Sequence, residues 1–326
     1  MQPLREPDGR PEVLALRALK LGDLLVAVPA IHGLRRAFPH HRLVLAVPGW
    51  LEPVVDLVPG VDALLATPGL DDPLPLAPRR VDVAVNLHGS GSESRRLVDA
   101  LEARLTIAHR VDEIDHGAGA DPRMPAWRDD LSERERWVRL LNAYGVEADA
   151  DEVRLTPPPR RSVAPGAAVL HVGAFYGSRR WPVDRFAAVA HRLRRDGHRV
   201  VFTGSADERE RALAVARAAG MDDEAVLAGR LDLTDFAAVI EGARVVVSAD
   251  TGAAHLASAY RRPSVVLFGP ATPEQWGPPP GPHLALTDAR VRRGDAFADT
   301  PDPALLAVGV EDVLWAIRAV LAPASA

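Results

Sequence analysis

Residues 248–255, Ser-Ala-Asp-Thr-Gly-Ala-Ala-His, have the types and spacing best suited to bind a phosphorylated ligand. They follow an apolar run and precede a helical pattern, so a helix begins near Gly252 with free backbone N–H groups at its start. The partial positive charge there, the Thr251 hydroxyl and the bare Gly252 suit a diphosphate, with His255 one turn further on. Asp250 or Thr251 could equally serve only as the helix cap, and this segment alone leaves both roles open.

Two loops of the N-terminal half place polar residues directly after predicted strands. In the first, Gly22 permits a tight turn, and the Asp23 carboxylate could accept a proton from a hydroxyl or could simply cap a helix. The second has a Gly-x-Gly pattern with Ser94 where a third glycine would stand, so it does not predict a dinucleotide site. We interpret His88 and Gly89 of this loop as contacts for a substrate.

Two loops of the C-terminal half offer cations and a carboxylate. Arg179 and Arg180 precede Trp181, and they could hold a leaving diphosphate or could form an exposed pair beside a core tryptophan. Glu208 could bind a ribose hydroxyl or could favour the N-terminus of its helix. His171, at the end of a predicted strand, is typical of a hydrogen-bonded core histidine.

The composition limits the class of protein. The chain has 326 residues, a net charge of −5 and no cysteine. This length fits two domains of roughly 150 residues each, and the charge gives no indication of a nucleic-acid partner. No thiolate metal ligand is available, and no apolar run approaches the ~20 residues of a membrane span. We expect a cytoplasmic protein with no metal site, no transmembrane segment and no signal peptide.

Apolar strands alternate with amphipathic helices in both halves, which predicts two parallel, doubly wound α/β domains. Proline-rich residues 156–166 interrupt the alternation, so we divide the chain into domains 1–160 and 161–326. Ligands of open α/β sheets bind at the carboxyl ends of strands, so the two domains should face a cleft. The last helix, 310–321, follows a long loop and could pack back onto the first domain.

Five motifs occur in a fixed order along the chain. They are Leu-Gly-Asp, Arg-Arg-Trp-Pro, Gly-Ser-Ala-Asp-Glu, Ala-Asp-Thr-Gly-Ala-Ala-His and Leu-Phe-Gly-Pro-Ala-Thr. In this order, from about residue 13 to 277, the chain resembles glycosyltransferase family 9, the ADP-heptose:lipopolysaccharide heptosyltransferases. The resemblance implies a GT-B fold of two Rossmann-like domains and an inverting mechanism without an obligatory metal or other cofactor. It also implies a nucleotide-heptose donor held by the C-terminal domain.

The resemblance assigns roles to single residues. Asp23 matches the catalytic base, and from the positions of their loops we place Gly22, His88 and Gly89 on the acceptor side. Arg179 stands where the family usually has a lysine near the diphosphate, beside Arg180, and Glu208 matches an acid that binds the nucleoside. The donor-binding signature D-T-G-x-x-H matches Asp250, Thr251, Gly252 and His255. Basic residues that would bind the acceptor have no clear match in the loops 68–80 and 112–128.

These assignments predict an inverting glycosyltransferase that moves a heptose or related sugar from a nucleotide-diphosphate donor, ADP-heptose by resemblance, to an acceptor hydroxyl. The acceptor would be a lipopolysaccharide-like glycan or another glycoside, and a lipid-linked acceptor would bring a peripheral membrane contact. Two alternatives stay open: a sugar-nucleotide epimerase of GT-B type, and a catalytically silent module that only binds a nucleotide sugar.

Overall fold

A computed structural model of the protein describes residues 9–115 and 121–322. The chain divides into two compact units, Met1–Thr156 and Pro157–Ala326. The division lies within the proline-rich segment that interrupts the predicted alternation of strands and helices. Within the described ranges, no helix is long and apolar enough to span a lipid bilayer.

The first unit is a five-stranded parallel sheet with the strand order β3-β2-β1-β4-β5. Its elements, in chain order, are β1 (Glu12–Leu16), α1 (Leu21–Ala37), β2 (Arg42–Val47), α2 (Glu52–Val55), β3 (Ala63–Ala66), β4 (Val83–Asn86), α3 (Ser92–Asp99), β5 (Leu105–Ile107) and α4 (Glu133–Ala143). All residues of β1, β2 and β4 are buried, as expected for strands covered on both faces. The strand order reverses between β1 and β4, so the loops after these two strands meet at the switch point where such sheets bind ligands.

The second unit repeats this architecture with the strand order β10-β9-β8-β6-β7. Its elements are β6 (Ala168–His171), α5 (Val183–Arg195), β7 (Val200–Thr203), α6 (Arg209–Ala218), α7 (Leu233–Glu241), β8 (Val245–Ala249), α8 (Gly252–Ala259), β9 (Ser264–Leu267), α9 (Pro273–Trp276), β10 (His283–Leu286), α10 (Pro303–Leu306) and α11 (Val310–Leu321). Here the order reverses between β6 and β8. The loops after these strands carry Arg179 and the Asp-Thr-Gly segment.

Some short elements do not follow from the hydrophobic pattern. β5 and β10 are edge strands of three and four residues, and most of their residues are only half-buried, so their sequences lack a continuous apolar run. α3 is largely polar and was not expected. The apolar pair Val226 and Leu227 forms no strand, and its only ladder contact in the described chain is a single bridge between Val226 and Phe202.

The last helix corrects one expectation. Instead of leaving its own half of the chain, α11 belongs to the second unit and packs against α5, β9 and β10. Its apolar residues Val313 and Ile317 are buried in the same core as Val265 of β9. A helix with apolar residues at this spacing has one stripe to bury, and the uncovered face of the sheet beside it accepts that stripe.

Candidate functional site

Thr251 does not use its hydroxyl as a helix cap. It occupies the N-cap position of the eight-residue helix α8 with an extended backbone, but its side chain makes no capping hydrogen bond. The Thr251 Oγ1 atom is buried and has no hydrogen-bond partner, and the same holds for Ser248 Oγ at the end of β8. A buried hydroxyl without a partner costs free energy, and both hydroxyls are available to hydrogen-bond a ligand.

Asp250 contacts two basic side chains, Arg179 from the loop after β6 and His255 from α8. One Asp250 oxygen lies 3.3 Å from Arg179 Nη1, and the other lies 3.6 Å from His255 Nε2. The same Arg179 nitrogen donates to the Asp250 carbonyl oxygen at 3.2 Å, while Arg179 Nε is buried without a partner. The structure thus brings Arg179, Asp250, Thr251 and His255 together at the start of α8, with Asp250 beneath the other side chains.

Glu208 lies at the carboxyl end of the neighbouring strand pair. Its Oε2 atom accepts the backbone N–H of Ser205 at 2.7 Å. A Cβ atom at Gly173 would lie 2.0 Å from that same oxygen, and a Cβ atom at Gly204 would lie 3.1 Å from it. Only a glycine at position 173 therefore lets the carboxylate reach its place, a requirement that sequence reasoning missed.

His171, at the end of β6, is half-buried and hydrogen-bonded, whereas the sequence predicted a hydrogen-bonded core histidine. Its Nδ1 atom is 3.0 Å from Thr203 Oγ1, and its ring packs 5.4 Å from that of Phe236. Burial lowers the pKa of His171, against a smaller raising effect of Glu208. The ring is therefore neutral at pH 7.

The Arg180 side chain forms hydrogen bonds within its own loop. Its Nε atom donates to the Ala174 carbonyl oxygen at 3.1 Å, and an Nη2 atom contacts the Phe175 carbonyl oxygen at 3.5 Å. The next residue, Trp181, is fully buried and donates from Nε1 to the Val308 carbonyl oxygen at 3.0 Å. Arg180 thus shapes the loop that presents Arg179.

In the first unit, Asp23 combines two possible roles. The helix α1 begins at Leu21, so Lys20 is its N-cap and Asp23 its third residue. One Asp23 oxygen accepts the Lys20 backbone N–H at 3.1 Å, and the other lies 3.8 Å from Arg17 Nη2. The side chain keeps a quarter of its surface exposed, so capping does not remove the carboxylate from a substrate. Gly22 lies within the helix and forms no tight turn, contrary to expectation.

Arg17 is a functional candidate that sequence reasoning missed. It follows β1 directly, its side chain is only 3% exposed, and its guanidinium carbon lies 4.7 Å from the ring centre of Trp137. Burial lowers its pKa to about 10, with Asp23 acting in the opposite direction. A single arginine at the end of an otherwise apolar strand is the signal that could have found it.

His88 and Gly89 follow β4 at the switch point of the first sheet. The His88 backbone N–H donates to Asn86 Oδ1 at 3.0 Å, and its ring Nδ1 is buried without a partner. Burial, and next the charge of Arg17, lower the His88 pKa to about 4, while Asp23 opposes them. His88 is therefore a neutral hydrogen-bonding ring near Asp23 at pH 7. A Cβ atom at Gly89 would make only ordinary contact, 3.9 Å from the Gly91 nitrogen.

Known proteins are similar to this chain in sequence and in fold. The model of the family described as glycosyltransferase family 9 (heptosyltransferase) matches residues 141–286. Lipopolysaccharide heptosyltransferase 2 of Escherichia coli is 24% identical over 95% of this chain and 98% of its own length. The enzyme of the same name from Salmonella typhimurium is 26% identical over 87% of this chain and 91% of its own.

The chain belongs to glycosyltransferase family 9. Its fold is GT-B, with two Rossmann-like units, and the protein is a glycosyltransferase. A solved structure described as E. coli ADP-heptose lps heptosyltransferase II superimposes with a TM-score of 0.75 at 20% identity, covering 95% of this chain and 98% of that one. The segment matched by the family model contains the loops of Arg179, Glu208 and Thr251, whereas Asp23 lies outside it.

The described part of this family 9 chain has no metal-binding cluster. Across residues 9–115 and 121–322, no three His, Asp or Glu side chains converge on one point. The side chains that face the α8 N-terminus carry one acid, Asp250, and one permanently charged base, Arg179. Positive potential for an anion is therefore available there from the helix end and from Arg179.

Proposed function

We propose that this glycosyltransferase transfers heptose from ADP-heptose to a hydroxyl group of a lipopolysaccharide-type glycan, with inversion at the anomeric carbon. The observation that carries the proposal is the buried, unpartnered Thr251 hydroxyl at the start of α8, beside Arg179. The donor and acceptor classes are those named for the similar proteins, an ADP-heptose lps heptosyltransferase and two lipopolysaccharide heptosyltransferases.

In this proposal the second unit binds the donor. The diphosphate lies at the N-terminus of α8 and receives hydrogen bonds from the Thr251 hydroxyl and the Gly252 amide. Arg179 supplies the cation, and its planar guanidinium presents two nitrogens to phosphate oxygens where a lysine would present one. Asp250 supports Arg179 and His255 from below. Glu208, held against Gly173, accepts hydrogen bonds from the ribose hydroxyls.

The first unit binds the acceptor and supplies the base. The acceptor oxygen attacks the anomeric carbon while the bond from that carbon to the diphosphate oxygen breaks. The Asp23 carboxylate takes the proton of the attacking hydroxyl, and ADP leaves with the bonding electron pair. Arg179 and the α8 N-terminus stabilise the negative charge that grows on the departing diphosphate. The neutral ring of His88 orients the acceptor hydroxyl.

We place the reaction in the cytoplasm, where a nucleotide sugar is available, with a peripheral membrane contact if the acceptor is lipid-linked. An epimerase would use the donor-binding residues without an acceptor. A silent binding module would not need Asp23. Without an acceptor, an epimerase would still convert the donor and a binding module would only bind it. A transferase would transfer no sugar.

The test measures ADP released from ADP-heptose, with and without truncated lipopolysaccharide, and identifies the product by mass spectrometry. UDP-glucose serves as the control donor. We expect ADP release and a heptosylated product only when both substrates are present. Isomerised ADP-heptose in the absence of acceptor would establish the epimerase, and tight donor binding without any turnover would establish the binding module.

A further inference from the structure

The guanidinium of Arg17 is anchored to two helices and one loop at once. Its Nε donates to the Asp23 backbone oxygen at 2.5 Å, and Nη1 donates to the carbonyl oxygen of Leu87, which follows β4. Its Nη2 lies 3.8 Å from an Asp23 carboxylate oxygen and 3.6 Å from Glu133 Oε2 on α4. The guanidinium plane also covers the Trp137 ring. All three guanidinium nitrogens therefore have a partner, on α1, on α4 or in the loop after β4.

Burying the Arg17 charge costs free energy, and the positions of its partners indicate which parts of the unit it holds together. A charged group removed from water must be compensated by well-placed partners, so the partners of Arg17 show which groups its position is tied to. Arg17 fixes both the backbone and the carboxylate of Asp23, and it ties them to the loop of His88. Glu133 contacts Arg17 through Oε2 and Arg136 through Oε1. Arg17 therefore shares its charge between Glu133 and Asp23.

We propose that Arg17 is the positioning residue of the catalytic base: its guanidinium is fixed by Leu87 after β4 and Glu133 on α4, and from there it holds Asp23 so that the carboxylate faces the acceptor hydroxyl. This inference rests on the proposed role of Asp23 as the base. Arg17 itself does not contact the substrate. It acts through Asp23, so its effect on the reaction should vanish when Asp23 no longer accepts a proton.

The charge environment of Asp23 comes from several elements. The groups that face it or its partner Arg17 are Lys20 at its own helix start, Arg17 after β1, His88 after β4, and Glu133 and Arg136 on α4. Arg17 Nη2 lies 3.8 Å from Asp23 Oδ1 and 3.6 Å from Glu133 Oε2, so α1 and α4 meet at this one guanidinium.

Two substitutions separate the charge of Arg17 from its geometry. Arg17→Gln removes the charge and the planar fork together, so kcat should fall. Arg17→Lys keeps the charge but loses the fork that contacts the Asp23 and Leu87 backbone oxygens, so kcat should also fall.

The decisive experiment is a double-mutant cycle between Arg17→Gln and Asp23→Asn, with kcat measured on ADP-heptose and acceptor. We expect Arg17→Gln to lower kcat on the order of 10²-fold in the wild-type background, because a small displacement of a reacting group costs about this much. In the Asp23→Asn background it should lower kcat no further. Arg192→Gln, on the exposed face of α5, is the matched control and should leave kcat unchanged.

The possible outcomes are distinct. An equal loss in both backgrounds would overturn the proposal, because Arg17 would then act independently of Asp23, as a merely structural residue would. A wild-type rate in Asp23→Asn alone would refute the proposed base and leave Arg17 without a catalytic role. Where Arg17→Gln does not fold, Arg17→Lys in the same cycle gives the same test, and an unchanged kcat in Arg17→Lys would also overturn the proposal.

Discussion

Thr251 and Asp250 are neighbours in sequence, yet their side chains have opposite environments. Both Asp250 oxygens lie close to protein groups, on Arg179 and His255. The Thr251 hydroxyl has no partner at all within the described protein. At the residue scale, this difference separates a side chain that supports the site from one that a ligand would complete.

The first prediction separates ligand binding from helix capping at Thr251. Thr251→Val removes a buried hydroxyl that has no partner, so the free energy of unfolding without ligand should stay the same or rise. The affinity for ADP should fall about tenfold, the equivalent of one lost hydrogen bond to a charged group. Urea unfolding and calorimetric titration with ADP measure the two quantities. A loss of about 1 kcal/mol of stability in the absence of ADP would instead indicate a helix cap.

The second prediction concerns the close approach of Glu208 to Gly173. An added Cβ atom in Gly173→Ala would lie 2.0 Å from Glu208 Oε2 and must displace the carboxylate. The affinity for ADP should fall about tenfold, or ~1.4 kcal/mol, because the ribose hydroxyls lose their acceptor. Gly69→Ala is the control, since its Cβ would meet only Asp71 at 3.9 Å. Unchanged ADP affinity in Gly173→Ala would remove Glu208 from the donor site.

Sequence reasoning found some of these residues and not others for a physical reason. Thr251 and Asp250 lie where an apolar strand gives way to a helix, and such a boundary is visible in a single stretch of sequence. Gly173 matters because of Glu208, and Arg17 is held in place by Leu87 and Glu133, all of which lie far from them along the chain. A local pattern contains no information about these partners, so only the folded structure reveals them.

At the scale of elements, helix α4 is attached to the first sheet through a cluster of aromatic rings around one histidine. His109, which follows β5, packs edge-to-face with Trp127 at 5.0 Å and with Trp137 at 5.7 Å. Neither of its ring nitrogens has a hydrogen-bond partner. Burial, with smaller contributions from Arg139 and Arg136, lowers its pKa to about 3. The attachment of α4, which carries Glu133, therefore requires a neutral His109.

The third prediction is that this cluster makes the protein sensitive to acid. The unfolded chain binds the His109 proton near pH 6.5, whereas the folded protein binds it only near pH 3. The stability contributed by the neutral ring is fully present above pH 6.5 and is lost as the pH falls toward 3. His109→Phe should therefore lose less unfolding free energy than the wild type between pH 7 and pH 4, by on the order of 2 kcal/mol.

Urea unfolding at pH 7 and pH 4 measures this difference. His88, whose pKa is about 4, still titrates in the variant, so the variant keeps part of the acid sensitivity. His191→Gln, an exposed histidine on α5, is the matched control and should behave as the wild type does. An equal loss of stability in His109→Phe and the wild type would show that His109 does not drive the acid sensitivity.

The elements themselves were predicted where burial is complete. Strands such as β1 and β8 are buried along their whole length and read as continuous apolar runs. The edge strands β5 and β10 are short and partly exposed, and their sequences have no such run. The packing of α11 was also not predictable, because its apolar stripe fits any uncovered sheet face. The sequence alone does not show which face the helix covers.

At the scale of the whole molecule, the repeated alternation of strands and helices is enough to predict two Rossmann-like units. The family match and the heptosyltransferase relatives agree with the order of the five motifs. The identity of the acceptor did not follow from the sequence, because acceptor contacts lie on loops of variable length and composition. In the proposed mechanism the chemistry divides between the units: leaving-group stabilisation in the second and proton removal in the first.

The measurement that tests this division most directly compares wild type and Asp23→Asn for acceptor-dependent release of ADP from ADP-heptose, together with calorimetric affinity for ADP. Asparagine keeps the shape of the side chain and an oxygen for the Lys20 N–H, but it cannot take a proton. We predict that kcat falls by about 10²–10⁴-fold while the affinity for ADP is unchanged. A variant that transfers heptose at the wild-type rate would contradict the account.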